Sequence, residues 1–304
     1  MLTILINAFG LFLIIIAGFT IKRIGLVDKK DGQILSKIIL NLTLPATIII
    51  GLNPIKVTGE FLILTGSAIF INLILVLFAK KIWNKKEDYH RILFMYCITG
   101  YNIGNFTLPF IQSFYPEASA YLFMFDVGNC IMLAGGTKMI VTSAIKKDDA
   151  STGLNTLLTT LKGSVPFITY IVMLLIRSLH LALPDGAISI LQLFANANGF
   201  LSLLMIGIYL ELVLPKKESI VVRKILFWRY SIGAILAAVI FFIIPLPNEL
   251  LRLVLTLICF APIATFSVIN SVEAGVEESV AGFISSVSIL ISLALMTLVM
   301  ILAT

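Results

Sequence analysis

Charge is scarce in this sequence: Asp, Glu, Lys and Arg make up 12% of its 304 residues, about half the share of an average soluble domain. Histidine occurs twice and cysteine three times. Cys97, Cys130 and Cys259 all fall inside apolar runs without metal-ligand spacing, so they read as small packing residues and not as a disulfide frame or metal centre. His90 and His180 share no ligand spacing, no Gly-rich phosphate loop occurs, and no second deep carboxylate accompanies Asp126. The chain is therefore read as a non-enzyme without a resident cofactor. The same composition excludes a nucleic-acid-binding domain, a secreted disulfide scaffold and a disordered chain.

What remains is apolar. Hydrophobic residues make up 59% and mean hydropathy is +1.07, more than a water-soluble fold of this size can hide, so the excess faces a lipid bilayer. A spanning helix needs about 20 mostly apolar residues. Uncharged stretches of that kind run 2–21, 38–55, 61–79, 92–116, 186–210, 230–248, 253–272 and 279–304. Two more carry charge: 118–145 holds Asp126 and Lys138, and 163–184 holds Arg177. The expectation is an all-α membrane protein of ten transmembrane helices. The first run starts at Met1 with no basic region ahead of it and no cleavage site, which reads as a retained helix and not a signal peptide.

The few charges sort by side. Connections on one side carry Lys22, Arg23, Lys29, Lys30, Lys80, Lys81, Lys85, Lys86, Arg91, Lys146, Lys147, Lys162, Lys216, Lys217, Arg223, Lys224 and Arg229. The other side carries only Lys56, Arg177 and Arg252. The positive-inside rule then puts both termini outside the cytoplasm in a multi-pass protein of the cell membrane. The longest polar stretch divides the chain into a five-helix repeat over 1–146, a cytoplasmic linker over 147–163, and a second five-helix repeat over 164–304. With five helices each, two like halves must be inverted, a common plan of secondary transporters. An offset of 153 residues maps Pro109 onto Pro262, Pro45 onto Asn198 and Asp126 onto Ser279, in weak support of such a repeat.

Polar residues inside the spans carry the chemistry. The fourth span reads Tyr101-Asn102-Ile103-Gly104-Asn105-Phe106-Thr107-Leu108-Pro109. A helix that unwinds over 102–107 and restarts near Pro109 would line a cavity with amides and point its ends at a solute. A Pro-kinked helix whose Asn and Thr bond neighbouring helices is the other reading. The ninth span repeats these elements in Pro262, Thr265, Ser267 and Asn270. Asn41-Leu42-Thr43-Leu44-Pro45 in the second span shares the Asn-x-Thr-Leu-Pro pattern of 105–109, as a proline kink would require. Asn41, Asn102, Asn105, Thr107, Pro109, Pro262 and Thr265 are thus the candidate substrate-binding residues.

Asp126 is the sharpest single residue, because an ionisable group at membrane depth is a functional hypothesis by default. Lys138 lies about 18 Å further along the same helix and cannot pair with it. Asp126 needs a proton, a cation or polar partners, and Asn129 stands one turn away. Asp126, Asn129, Ser267 and Asn270 form the candidate ion site, with sodium or a proton as coupling ion. A carboxylate capping the broken helix is the structural alternative. Glu273, Glu277 and Glu278 suit the N-terminus of the tenth helix, and Glu211 stands ready to pair with Lys216 or Lys217.

In order and spacing these motifs resemble the auxin efflux carrier family over essentially the full chain. The resemblance rests on NLTLPATIIIGLNP at 41–54, on Asn102 seven residues before Pro109, on MIGIYLELVLPKK at 205–217, and on Ala261-Pro262 with Gly275-x-Glu277-Glu278-Ser279. It implies two inverted five-helix repeats whose fourth and ninth helices break and cross at Pro109 and Pro262. It also implies a scaffold-like and a transport-like domain, and a small organic anion, auxin- or dicarboxylate-like, as cargo. Asn102 matches the family's crossover asparagine, expected to meet the carboxylate. The sequence differs at Asn105 and Thr107, where relatives more often show apolar residues and glycine. The related fold also occurs in sodium-coupled bile-acid transporters. Alternatives are a sodium- or proton-coupled carrier using Asp126, and a membrane sensor that binds a ligand without moving it; a second copy of the chain, as a homodimer, is a candidate partner.

Overall fold

Prolines and glycines decide where these apolar helices run and where they stop. The computed structural model describes residues 2–56, 59–83, 87–145, 152–213 and 218–303. The chain opens with α1 (Leu2–Arg23) and α2 (Lys29–Ile38), whose start is fixed by a reciprocal capping box between Asp28 and Asp31. A π turn over Ile39–Thr43 carries α2 into α3 (Leu44–Leu52), and α4 (Gly59–Ile82) follows. Next come α5 (Asp88–Ile98), a break, a second π turn over Ile103–Thr107 and α6 (Leu108–Gln112). Then α7 (Ser119–Ile131) passes through a third π turn, Met132–Gly136, into α8 (Thr137–Ala144). The rest is α9 (Thr152–Gly163), α10 (Val165–Ser178), α11 (Asp185–Tyr209), α12 (Ser219–Phe242), α13 (Glu249–Ile258), α14 (Thr265–Glu273) and α15 (Glu278–Ala303).

The first two π turns share one sequence, Ile-x-Asn-x-Thr-Leu-Pro. Proline has no N–H and its ring collides with the carbonyl four residues back. One extra residue in the turn relieves that collision: Leu44 and Leu108 N–H groups reach back five residues, to the carbonyls of Ile39 and Ile103. The kink expected at the shared motif is therefore a widened turn, with Thr43, Thr47 and Thr107 hydroxyls occupying polar groups around it.

Among the described residues, seven helical segments are long and apolar enough to cross a membrane: Leu2–Arg23, Lys29–Leu52, Gly59–Ile82, Pro116–Ala144, Asp185–Tyr209, Ser219–Phe242 and Glu278–Ala303. An eighth counts if α9 and α10, bent by 80°, form one span. Ten were expected from the sequence. The shortfall lies in 92–116, 163–184 and 253–272, and in each the chain is interrupted or bent where Gly, Pro or Ser stands. Large apolar side chains face outward along the spans; Phe242 and Leu302 are 80% and 77% exposed, as lipid contact requires.

The helices gather into two bodies that also touch each other, α1 on α15 and both α3 and α10 on α7. In one, α1, α3 and α10 pack on α11 or on one another; in the other, α4 packs on α5 and α7, α12, α14 and α15 pack on α5, and α13 packs on α12 and α15. Each body takes helices from both halves of the sequence. The connection expected as a plain linker is helical from Thr152, because Leu154, Leu157, Leu158 and Leu161 recur at helical spacing; α9 lies on the third π turn, with Leu157 over Gly135. Lys146–Ser151, with the domain boundary drawn at 146, lie outside the described residues.

Ion pairs mark one face of the molecule. Lys29 bridges Glu211 (2.6 Å) and Glu278 (3.6 Å), Lys138 pairs with Glu273 (2.8 Å), and His90 meets Glu218 (3.0 Å). Glu211 thus finds Lys29 across two helices; Lys216 and Lys217, its expected partners, lie outside the described residues. Glu278 does open α15, whereas Glu273 ends α14 and holds Lys138.

Candidate functional site: a crossing of two broken helices

The fourth and ninth stretches break at the same point in space. After α5 the chain turns at Gly100 with φ +72°, a left-handed conformation that suits glycine. Tyr101 and Ile263 then pair as an isolated antiparallel bridge. Asn102 N–H donates to the Pro262 carbonyl at 3.0 Å, and Ile263 N–H to Ser288 Oγ of α15 at 3.1 Å. Beyond the bridge both chains become helical again, from Ile103 and from Thr265. The crossing therefore gathers two helix C-termini and two helix N-termini.

A break at membrane depth strands backbone groups, each costing several kcal/mol if unpaired. Two asparagines recover them. Asn72 Oδ1 of α4 accepts from Gly100 N–H (2.6 Å), and Asn129 Oδ1 of α7 accepts from Tyr101 N–H (3.1 Å). Asn129 Nδ2 donates back to the Tyr101 carbonyl (2.9 Å), so its amide meets the Tyr101 peptide as a neighbouring strand would. That two-bond fit also sets which way the amide points.

Carbonyls at the two C-termini converge on Arg229 of α12. Its guanidinium donates to Cys97 (2.9 Å), Thr99 (3.4 Å) and Gly100 (2.9 Å) on one broken helix, and to Ala261 (2.9 Å) and Pro262 (3.1 Å) on the other. Arg229 is 5% exposed and lies 5.3 Å from the centre of the Tyr101 ring, a cation–π distance. This corrects the sequence reading, which placed Arg229 in a cytoplasmic connection. The eighth span was drawn from Tyr230, just past the last charge, whereas α12 begins eleven residues earlier.

Asp126 sits beside the crossing, almost fully buried. Its Oδ1 accepts from Asn129 Nδ2 and its Oδ2 from the Tyr170 hydroxyl, both at 2.9 Å. Neither donor is a cation or a backbone N–H; Asn129, not Asp126, holds the broken backbone. Tyr170 stands on α10, in the other body, so this buried bond joins the two. Asn72 and Tyr170 escaped the sequence reading because one uncharged amide and one tyrosine in an apolar helix carry no local signal.

A cavity of about 370 Å³ opens here. Of the candidate residues, Asn41, Asn102, Asn105, Asp126, Asn129 and Thr265 line it, together with Tyr101, Cys130, Thr160 and 163–166. The others serve the backbone around it. Thr107 donates to the Asn102 carbonyl, Pro109 starts α6 against Gly199, and Pro262 supplies its carbonyl. Ser267 donates to Thr99 (3.4 Å) and Asn270 to Leu133 (3.0 Å). Asn41 donates to Lys37. Among the described residues, the side chains of Asn102, Asn105 and Thr265 make no internal hydrogen bond, and buried Oδ1 of Asn105 has no partner. These three face the cavity with polar groups to spare. Among the described residues, the lining contains one carboxylate, Asp126, and no cationic side chain.

The sequence model of a family described as membrane transport protein matches residues 3–160. No curated protein matches the chain.

Proposed function

Because this chain belongs to the membrane transport protein family, that of the auxin efflux carriers, we propose that it is a secondary transporter moving a small organic anion by alternating access at the crossing. The observation that carries this reading is the antiparallel meeting of the two broken helices beside a cavity. Helix N-termini carry roughly half a positive charge each, and those at Ile103 and Thr265 border the cavity. A carboxylate docks there on backbone N–H groups and on the amide of Asn102. With no cationic side chain in the lining, affinity is modest and the carboxylate stays partly hydrated.

Counting each broken pair as one crossing gives ten: α1, α2–α3, α4, α5–α6, α7–α8, α10, α11, α12, α13–α14 and α15. On this count the halves 1–146 and 164–304 form an inverted repeat. The body of α1, α3, α10 and α11 acts as scaffold, and the other body carries the cargo. Lining residues Thr160 and 163–166 belong to the meeting ends of α9 and α10, next to the basic Lys162, so the cavity here opens toward the cytoplasm. With Arg229 inside a helix, sixteen basic residues still outweigh three, which supports termini outside the cell membrane.

A coupled carrier is the second reading, favoured by Asp126. An anionic cargo beside a buried carboxylate brings two negative charges into a site without a cationic side chain, so a sodium ion or a proton at Asp126 must accompany it.

Purified protein heated with malonate, malate or indole-3-acetate tests cargo binding. One of these carboxylates is expected to raise the unfolding temperature, since a ligand that binds only the folded state stabilises it, and Asn102→Ala should abolish the shift. A shift of equal size in Asn102→Ala would place the carboxylate elsewhere.

A further inference from the structure

Arg229 is a full positive charge, buried at membrane depth, with no carboxylate among its hydrogen-bond partners. All five partners are carbonyls at or just past the C-terminal ends of α5 and α13, where helix dipoles leave roughly half a negative charge each. One guanidinium thus offsets two helix ends. The matching N-terminal ends, at Ile103 and at Thr265, have no side-chain cap and border the cavity, whose carboxylate, Asp126, is bonded instead to Asn129 and Tyr170. Arg229 is not among the cavity-lining residues; Tyr101, whose ring it touches, is.

We propose that Arg229 sets the charge preference of the cavity without touching the cargo, by cancelling the negative ends of both broken helices so that only their positive ends act on what enters. It is a positioning and specificity residue, since it also clamps the two breaks to one group. A lysine keeps the charge but has three donors on one nitrogen and no planar fork, so it separates the electrostatic role from the clamp. The consequence for transport rests on the cavity being the cargo site, but the test below involves no transport.

The probe is a reporter thiol. Thr265→Cys, in a chain carrying Cys97→Ala, Cys130→Ala and Cys259→Ala, places it on the cavity wall. Its reaction rates with an anionic (sulfonatoethyl) and a cationic (trimethylammonioethyl) methanethiosulfonate give a ratio that reports local potential. Arg229→Gln is expected to lower the anion-to-cation ratio by about tenfold or more, and Arg229→Lys to stay within about threefold of the parent, as one charge acting across a low-dielectric wall implies. An unchanged ratio in folded Arg229→Gln overturns the proposal. So does an equal fall in both variants, which would mean that packing, not charge, governs the reagent. If Arg229→Gln does not yield folded protein, the Arg229 chain with Asp126→Asn decides instead. There the ratio should exceed that of a free thiol by about tenfold, and a ratio at or below the free-thiol value overturns the proposal.

Discussion

Replacing Asp126 with asparagine is expected to abolish concentrative uptake while leaving exchange of cargo intact. The substitution keeps shape and hydrogen-bonding reach, so Tyr170 can still donate to the remaining oxygen, and only the charge is lost. In the native site that charge is met by neutral donors, Asn129 and Tyr170 at 2.9 Å with the Cys130 thiol beside them, and by no cation among the described residues. Burying an uncompensated ion costs several kcal/mol even after relaxation, so a cation that enters with the anion is bound strongly enough to couple its gradient to the movement. The Tyr170 bond would give that coupling a path, because it ties Asp126 to α10 of the body proposed as scaffold. Uptake into proteoliposomes under an imposed sodium or proton gradient measures the effect. Wild type should respond to one of the two gradients, and Asp126→Asn should fall by about tenfold or more, to the level seen without a gradient. A variant with its gradient response unchanged would remove Asp126 from the coupling.

Gly207→Leu is expected to prevent recovery of folded protein. α1 and α11 cross with their backbones in contact: a Cβ on Gly207 would lie 2.1 Å from the Ile15 carbonyl oxygen, and one on Gly18 would lie 2.2 Å from that of Leu204. Those atoms are backbone and cannot rotate aside, so the helices must part, and the scaffold body loses its tightest seam. Small residues at such seams let membrane helices gain packing that lipid does not supply. Overpacking costs of about 1–3 kcal/mol are typical of cores, and a whole leucine against two backbones exceeds them. Gly10, on the same α1, has open space where its Cβ would stand, so Gly10→Leu is the matched control. Fluorescence-detected size exclusion should show aggregate for Gly207→Leu and a native peak for Gly10→Leu; matching profiles would contradict the seam.

The all-helical membrane fold was legible in the sequence, because lipid imposes length and apolarity on a span, although ten spans were expected and seven or eight long apolar helical segments stand among the described residues. Unwinding was expected over 102–107 with a crossing at Pro109, whereas the chain leaves helix at 99–102, crosses at Tyr101 and Ile263, and is helical again from Ile103. That the fourth and ninth stretches would break was legible, through Pro109 and Pro262. Partnerships between distant helices were not. Nothing near Asn72 or Tyr170 announces a partner 28 or 44 residues away. Arg229 was lost for another reason: cutting a span at its last charge assumes that charge belongs in water, and a guanidinium surrounded by five carbonyls does not need it. The polar residues of the broken helices were found, but not their division of labour. Thr107 and Ser267 spend their hydrogen bonds on the break and Asn270 spends its on the π turn at Leu133, whereas Asn102, Asn105 and Thr265 keep theirs for the cavity.

Counterflow tests the central claim most directly. Proteoliposomes preloaded with unlabelled carboxylate and diluted into a trace of the same labelled compound, malonate or indole-3-acetate, with sodium and pH equal on both sides, report exchange without any imposed ion gradient. For the carboxylate that stabilises the purified protein, wild type should accumulate label transiently and Asn102→Ala should not. A protein stabilised by the carboxylate yet unable to exchange it would be a receptor, and the carrier account would be contradicted.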